Sequence, residues 1–384
     1  MLHDIISAYS ANKEEVLAWI QNLRDHVKGP IYNSVDLRNS GFKITSVDTN
    51  IFPAGFNNLC PDYTQKTGTL LKSYLEKHHP NTQKIAIFPE SHTKNAYYLE
   101  NLKKLQKIIE EAGYEAQISD TEEELKTSDL ILTNNDFSGG IPKVLESLPT
   151  PVIPNPNLGW FQRSKYEHFL HYAKLTKDFA KILKVDPWFF TPLTVKVENV
   201  NFQEKEGFEK IASASQKLLV QIQEKYNEHG ITSSPYVFIK NDSGTYGIAI
   251  HHIENPEEIL GMNRKTRNKL STGKDKTAVT DIIIQEGIPT IERFNGMTGE
   301  PVIYLIGNTA TGGFFRLNEE KDEKSNLNSR GMQFTKLCFH EMFGYENNFP
   351  ECDLECLEEL YFRIAEIGSL ASGIEMQEIE NLPI

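Results

Sequence analysis

The stretch Tyr236–Ile250, YVFIKNDSGTYGIAI, decides how the chain is read. Its β-branched and aromatic start, Val237, Phe238 and Ile239, suits a buried strand. Lys240 ends that run, a short polar loop with Gly244 and Gly247 follows, and Ile248 to Ile250 forms a second apolar run. Strand, lysine, glycine loop and strand describe a hairpin whose tip can fold over a polyphosphate. Glycines let backbone N–H groups approach oxygen atoms closely, and the lysine adds a point charge. The same residues also describe an ordinary hairpin with a lysine at its end, so the stretch alone leaves both readings open.

Composition narrows the classes around it. A chain of 384 residues has room for one or two domains with sizeable cores. Hydrophobic content of 39% with 24% charged residues describes a globular protein, neither disordered nor membrane-embedded. A formal net charge of −13 argues against nucleic acid or an acidic membrane as partner, so an anionic ligand needs a local basic pocket. Four cysteines, Cys60, Cys338, Cys352 and Cys356, are too few and scattered for a disulfide framework. Cys352 and Cys356 lack a second Cys/His pair to complete a zinc site. The start, MLHDIISAYSANKEEVLAW, has no basic n-region followed by a long apolar core, and no apolar run reaches membrane-spanning length. The expectation is a cytoplasmic protein.

Outward from the hairpin, the chain divides in three: residues 1–79, 80–155 and 156–384. The first carries one expected amphipathic helix over residues 1 to about 30, then a polar stretch, SVDLRNSGFKITSVDTNIFPAGFNNL. Alternation around Asn39-Ser40-Gly41 predicts two short strands there. Asp36, Arg38, Lys43, Asp48, Asn50, Asn57 and Asn58, interleaved with Phe52, Pro53 and Phe56, suit a pocket wall as well as a solvated hairpin. From Ile85 a β-α-β unit with parallel strands is expected: Ile85–Phe88, a helix over Leu99–Ala112 stopped at Gly113, then strands near Tyr114–Ile118 and Leu130–Leu132. Ligands of such sheets lie beyond the strands' carboxyl ends, at Glu90-Ser91-His92 and Asn134-Asn135-Asp136. No G-x-G-x-x-G follows the first strand, which speaks against a dinucleotide site. Pro151–Pro156 reads as an extended connection. Later come a helix over Lys165–Leu183, a strand at Phe190–Val197, a helix over Phe208–Tyr226, strands at Asp281–Glu286, Val302–Ile306 and Gly312–Leu317, and a long helix over Asp353–Ala371. Lys265–Lys276 reads as a basic surface loop.

Several pieces stand in a telling order: Ser164-Lys165 opening a helix, Ile239-Lys240 with its glycine loop, Gln285-Glu286 ending a strand, Arg316 on a strand, and the loop SNLNSRG. This order resembles the ATP-grasp superfamily, and SNLNSRG is similar to the loop of its peptide-ligase-like members. The phrases VDLRNSGFKITSVDTNIFPAGFNNL, NPNLGWFQRSKYEHF, FIKNDSGTYGIAI and IIIQEGIPT resemble the proteobacterial glutamate–cysteine ligase family, which has an ATP-grasp-like core. The resemblance implies an α/β fold: a two-lobe nucleotide clamp preceded by a Rossmann-like parallel domain. It implies ATP and Mg2+, the small substrates glutamate and cysteine, and ligation through an acyl phosphate. Lys165 and Lys240 would neutralise the α- and β-phosphates, and backbone around Ser243, Gly244 and Gly247 would cover the β- and γ-phosphates. Gln285 and Glu286 would meet the adenine edge and Glu292 the ribose. Arg316, Asn328 and Arg330 would stabilise the moving phosphoryl group, for which arginine's planar fork is suited. Arg316 could instead pair with an acid of the EEKDE loop. Arg38 and Lys43 are candidates for substrate carboxylates, and Asp48 and Asn50 for the ammonium group.

The metal site departs from the superfamily, which places an acid on one strand and Glu-x-Asn on the next, after the last long helix. Here only GIEMQEIENLPI follows, so Glu378 and Glu380, on one side of an extended segment, are the expected ligands. A different amine substrate, or a nucleotide-binding protein without turnover, remain open alternatives. Oligomeric state is not legible.

Overall fold

The computed structural model describes residues 1–90, 95–243, 250–263, 266, 270–271, 279–336 and 351–380, with backbone alone at 351–353 and 380. The expected amphipathic start forms two helices, α1 (Leu2–Ala11) and α2 (Lys13–His26), rather than one. Asn12 breaks them: its backbone leaves helical geometry and its amide donates to the Ala8 carbonyl at 2.8 Å. The polar stretch then forms the antiparallel pair β1 (Tyr32–Asn39) and β2 (Ile44–Asn50). Gly41, at φ +80°, makes the turn between them, a backbone region most side chains avoid.

Next come α3 (Pro61–His78), β3 (Lys84–Phe88), α4 (Ala96–Glu111), β4 (Glu115–Ile118), α5 (Glu122–Lys126), β5 (Leu130–Thr133), α6 (Lys143–Glu146) and β6 (Val152–Ile153). The four strands form a parallel sheet in the order β4-β3-β5-β6. Pro151–Pro156 is thus not only a connection, since Val152 and Ile153 add the fourth strand. Leu102, Leu105, Ile108 and Ile109 recur at helical spacing on α4 and are buried beside the apolar Ile85 and Ile87 of β3.

The next unit begins at α7 (Lys165–Leu183), followed by β7 (Thr194–Val197), α8 (Lys205–Glu228), β8 (Val237–Asn241), β9 (His251–Ile253), α9 (Glu257–Leu260) and β10 (Ile282–Glu286). These strands make an antiparallel sheet, β7-β10-β8-β9, with α8 packed on it. The expected hairpin is present at its base, where Val237 to Ile239 pair with Ile253 to His251. Its tip, with Gly244 and Gly247, lies outside the described residues, as does most of Lys265–Lys276.

The last strands, β11 (Arg293–Phe294), β12 (Met297–Ile306), β13 (Thr309–Asn318) and β14 (Gln333–Lys336), precede α10 (Glu351–Glu380). They belong to a six-stranded sheet whose path is β14-β13-β12-β1-β2, with β11 beside β12. The N-terminal pair, expected within a segment of its own, is therefore hydrogen-bonded into a sheet built from residues far along the chain: Val35 faces Ile303 and Asp36 faces Val302. Helix α10 lies across β1 and β2. It also runs nine residues further than the expected helix, through the segment expected to be extended. The reason is burial: Glu375 is drawn in by Arg163 and His168, and a Cβ on Gly373 would stand 2.7 Å from the Lys28 carbonyl. No helix among the described residues is long and apolar enough to cross a membrane.

Candidate functional site

Lys240 ends the buried part of β8, and its Nζ donates to Gln285 Oε1 at 2.6 Å and to the Val47 carbonyl at 3.0 Å. Burial pushes its pKa down to about 8, with Asp48 pulling it up and Lys165 and Arg38 pulling it down. Lys165 is set by the start of α7, where Ser164 caps the helix by accepting from the Glu167 N–H. Asp242 fastens this turn to β8: its carbonyl accepts from the Lys165 N–H at 2.9 Å and its carboxylate from the Tyr166 N–H at 2.9 Å. Behind the turn, Arg163 is fully enclosed, bonding Glu375 at 2.7 and 3.0 Å and the Thr49 carbonyl at 2.7 Å. Burial would raise Glu375, but Arg163 and His168 outweigh it and hold the carboxyl near 2. The lysine Nζ so positioned meets Asp48 at 2.5 Å and lies 4.1 Å over the Trp160 ring. Burial alone would raise Asp48, yet Lys165 and Lys240 together keep it below its ordinary value.

Both lysines line a cavity of about 730 Å³ between the two antiparallel sheets. Its other charged wall is β1, β12 and β13. Glu300 and Arg316 are direct cross-strand partners, and Arg316 Nη1 reaches both Glu300 and Asp36 at 2.6 Å. Arg38 bonds Glu300 at 2.5 Å and the Glu323 and Ser325 carbonyls at 3.1 and 2.9 Å, tying the loop after β13 to the site. Burial pushes Glu300 up, but the two arginines outweigh it and keep it ionised. Asp36 goes the other way: burial raises it, Glu300 adds to the rise, and Arg316 only partly offsets both. Across β1 and β2, Asp36 faces Asp48 directly and Ser34 faces Asn50. Two carboxylates opposite one another in a sheet repel, so their placement is not explained by strand stability.

A second cavity, of about 800 Å³, opens on the other side of this wall. It shares Asp36, Asp48, Arg316 and Asn328 with the first and adds Asn50, Asp136, Trp160 and an aromatic lining.

Of the residues singled out from sequence, Arg38, Asp48, Lys165, Lys240, Gln285, Glu286, Arg316 and Asn328 come together on the first cavity, and Asn50 on the second. Others go elsewhere. Lys43 is wholly buried, 2.6 Å from Glu286 and 4.2 Å over the Trp188 ring, so its charge is spent inside the protein and not on a substrate. Glu286 also accepts from Trp188 Nε1 at 3.2 Å and the Leu193 N–H at 2.9 Å, which commits its carboxylate to fastening β10 to the segment before β7. Glu292 is enclosed by Asn39, at 3.0 Å, and Tyr361 rather than facing a ribose; burial raises it to about 7 against both hydrogen bonds. Arg316 pairs with Asp36 and Glu300, not with the EEKDE loop. The Ser243 N–H is used by Asn241 Oδ1 at 3.2 Å. Arg330 is exposed, and lines neither cavity. Glu378 sits on helix α10, 3.0 Å from His171, and also lines neither cavity; only the backbone of Glu380 is described. Among the described residues, the group Asp186, Glu228 and His229 could also hold a metal, but Lys225 already occupies it with contacts of 3.0 and 2.7 Å.

Glu300 and Trp160 were not singled out by sequence, and Asp36 and Asp136 were named there only within a polar pocket-wall stretch and beyond a strand's carboxyl end, without a role. One signal for Asp36 was present: an acid on β1 followed by Asp48-Thr49-Asn50 on β2 is the acid and acid-x-Asn pattern sought at the other end of the chain.

The sequence pattern of the GshA glutamate–cysteine ligases matches residues 7–129 and 124–376. Among solved structures, a protein of Methylobacillus flagellatus KT assigned as a gamma-glutamylcysteine synthetase is 31% identical, with a TM-score of 0.87 over 97% of this chain and 95% of that one. D-alanyl-alanine synthetase A of Vibrio cholerae O1 biovar eltor superposes over 77% of this chain and 82% of that one at 10% identity; its TM-score of 0.33 is too low to indicate a shared fold. No curated protein matches significantly. With the family pattern running from residue 7 to residue 376 and a like-folded structure matching nearly end to end, this chain belongs to the glutamate–cysteine ligase family GshA and is a ligase.

Proposed function

We propose that the chain joins the γ-carboxylate of glutamate to the amine of cysteine at the expense of ATP, as a cytoplasmic enzyme with an ATP-grasp-like clamp. The observation that carries this reading is the pair of adjoining cavities: two lysines on the first, and a wall of Asp36, Asp48, Arg316 and Asn328 common to both. A carboxylate is a poor electrophile. In the reading offered here its oxygen attacks the γ-phosphorus, the bond to ADP breaks, and an acyl phosphate forms. The cysteine nitrogen then attacks the carbonyl carbon, phosphate leaves, and the amine proton passes to solvent. Positioning and charge neutralisation supply the catalysis of the first step. Lys165 and Lys240 bind the phosphates of the first cavity, and Arg316 and Asn328 meet the phosphoryl group at the common wall. Gln285 and Glu286, at the end of β10, lie toward the adenine edge; Arg330, exposed, has no role in this reading.

The implied magnesium fits β1 and β2 better than the C-terminus. Asp36, Asp48 and Asn50 offer the oxygen ligands the ion prefers while leaving room for waters and phosphate oxygens. The fit rests on the facing Asp36 and Asp48 and on the uncompensated rise of Asp36, which a cation relieves. Bound there, the ion would neutralise charge on the phosphates. In this arrangement the metal-binding pair that ends other clamps begins this one, and residues 80–155 form the preceding parallel domain.

The test is ADP release with glutamate plus single amines. Release that depends on glutamate and cysteine together is expected, and Lys240→Ala should abolish it while the variant still unfolds in one cooperative urea transition. Turnover only with another amine, or near-normal turnover in the variant, overturns the reading.

A further inference from the structure

We infer that the second cavity recognises the α-carbon end of the glutamate as a zwitterion, through Asp136 and Trp160; this rests on the ligase reading above. Phosphate arrives from the first cavity, so the reacting γ-carboxylate belongs at the wall common to both. The α-ammonium and α-carboxylate, at the far end of the side chain, then fall on walls that only the second cavity has. Those walls are mostly apolar, with Phe52, Tyr304, Phe314 and Phe334 among them. Asp136 is the carboxylate among them. It lies just beyond the carboxyl end of β5, where parallel sheets bind ligands, and is 4% exposed. Ser138 holds it, donating to Asp136 Oδ1 from N at 3.0 Å and from Oγ at 2.8 Å.

Trp160 is fastened to the same residue, its N–H donating to the Asp136 carbonyl at 2.9 Å. Its indole Nε1 is buried and donates to nothing among the described residues. A buried donor left without a partner is costly, and an incoming oxygen repairs it. An acid and an indole N–H joined by one backbone hydrogen bond match an ammonium and a carboxylate joined through one carbon. The pairing also explains how a cavity with a surplus of acids would admit a substrate with two carboxylates: its ammonium is met by Asp136 and its α-carboxylate by a neutral donor.

The experiment compares glutamate, glutarate (no ammonium) and the α-amide of glutamate (no α-carboxylate) as acyl donors for ADP release by the full chain. Wild type should disfavour glutarate by about 10- to 100-fold in kcat/KM, the range for losing a charged hydrogen bond. Asp136→Asn keeps an Oδ1 for Ser138; it should raise KM for glutamate by about the same factor and shrink the glutamate-to-glutarate ratio to within about threefold, leaving KM for ATP and cysteine unchanged. Trp160→Phe should instead erase discrimination against the α-amide while keeping that against glutarate. KM for glutamate within twofold of wild type in folded Asp136→Asn, or unaltered α-amide discrimination in Trp160→Phe, overturns the inference. No glutamate-dependent ADP release by wild type overturns the ligase reading instead.

Discussion

Lys43→Met tests whether a lysine in a substrate-like phrase serves the substrate or the fold. Lys43 Nζ stands 2.6 Å from Glu286, and neither side chain has accessible surface. Removing one partner of a fully buried pair leaves the other charge uncompensated, at a cost of about 3–5 kcal/mol. Typical domains are stable by only about 5–15 kcal/mol, so the single variant should lose a large share of its stability. Glu286 keeps the Trp188 and Leu193 donors, at 3.2 and 2.9 Å, which moderates the loss without removing it. Lys43→Met with Glu286→Gln removes both charges while an amide oxygen still accepts, and should recover to within about 1–2 kcal/mol of wild type. Urea unfolding read from the change in midpoint at constant slope measures all three proteins. The double variant should also keep KM for glutamate within about threefold, since neither charge reaches substrate in this arrangement. A stable Lys43→Met protein with a large rise in KM for glutamate would refute the reasoning and return Lys43 to the substrate.

Three further outcomes follow from the same structure. With Lys240 lowered to about 8 and phosphate requiring its protonated form, KM for ATP should be level below pH 7 and rise about tenfold by pH 9; a flat profile up to pH 10 contradicts the assignment. Glu292 is raised to about 7, so the folded state holds a proton the unfolded chain has lost, and stability should fall by roughly 3 kcal/mol as pH rises from 4.5 to 8. Glu292→Gln should flatten that slope in urea titrations, and an unchanged slope would show the carboxyl titrates normally. Asp36→Asn should raise the Mg2+ concentration for half-maximal ADP release by about tenfold or more, and an unchanged Mg2+ curve would exclude it as a ligand.

The elements were largely legible along the chain because their causes are local. Helical spacing marked α7 at its observed bounds, Gly113 stopped α4 within two residues of its end, and the apolar run of β10 ended as expected at Glu286. Lys165 and Lys240 were legible as candidates for one cavity because each sits near an element's end, where a polar tip emerges from an apolar run. Partners were not. Lys43, Arg316, Glu286 and Glu292 look alike in sequence, as charges close to apolar residues, and only packing decides which charge is neutralised inside and which lines a cavity. Their partners lie between 16 and 280 residues away, beyond any local pattern.

The N-terminal hairpin shows the same division. Its alternation, its turn at Gly41 and its acids at Asp36 and Asp48 were written in the sequence, because strand period and turn chemistry are local properties. That β1 pairs with β12, and so brings those acids to the wall between two cavities, is a long-range pairing that chain order conceals. The sequence by itself determined that this chain folds as alternating helices and strands with Lys165 and Lys240 near the ends of two of them. Tertiary structure alone decided which end of the chain carries the acids beside those lysines, because sheet pairing joins strands by register and burial, not by their order along the backbone.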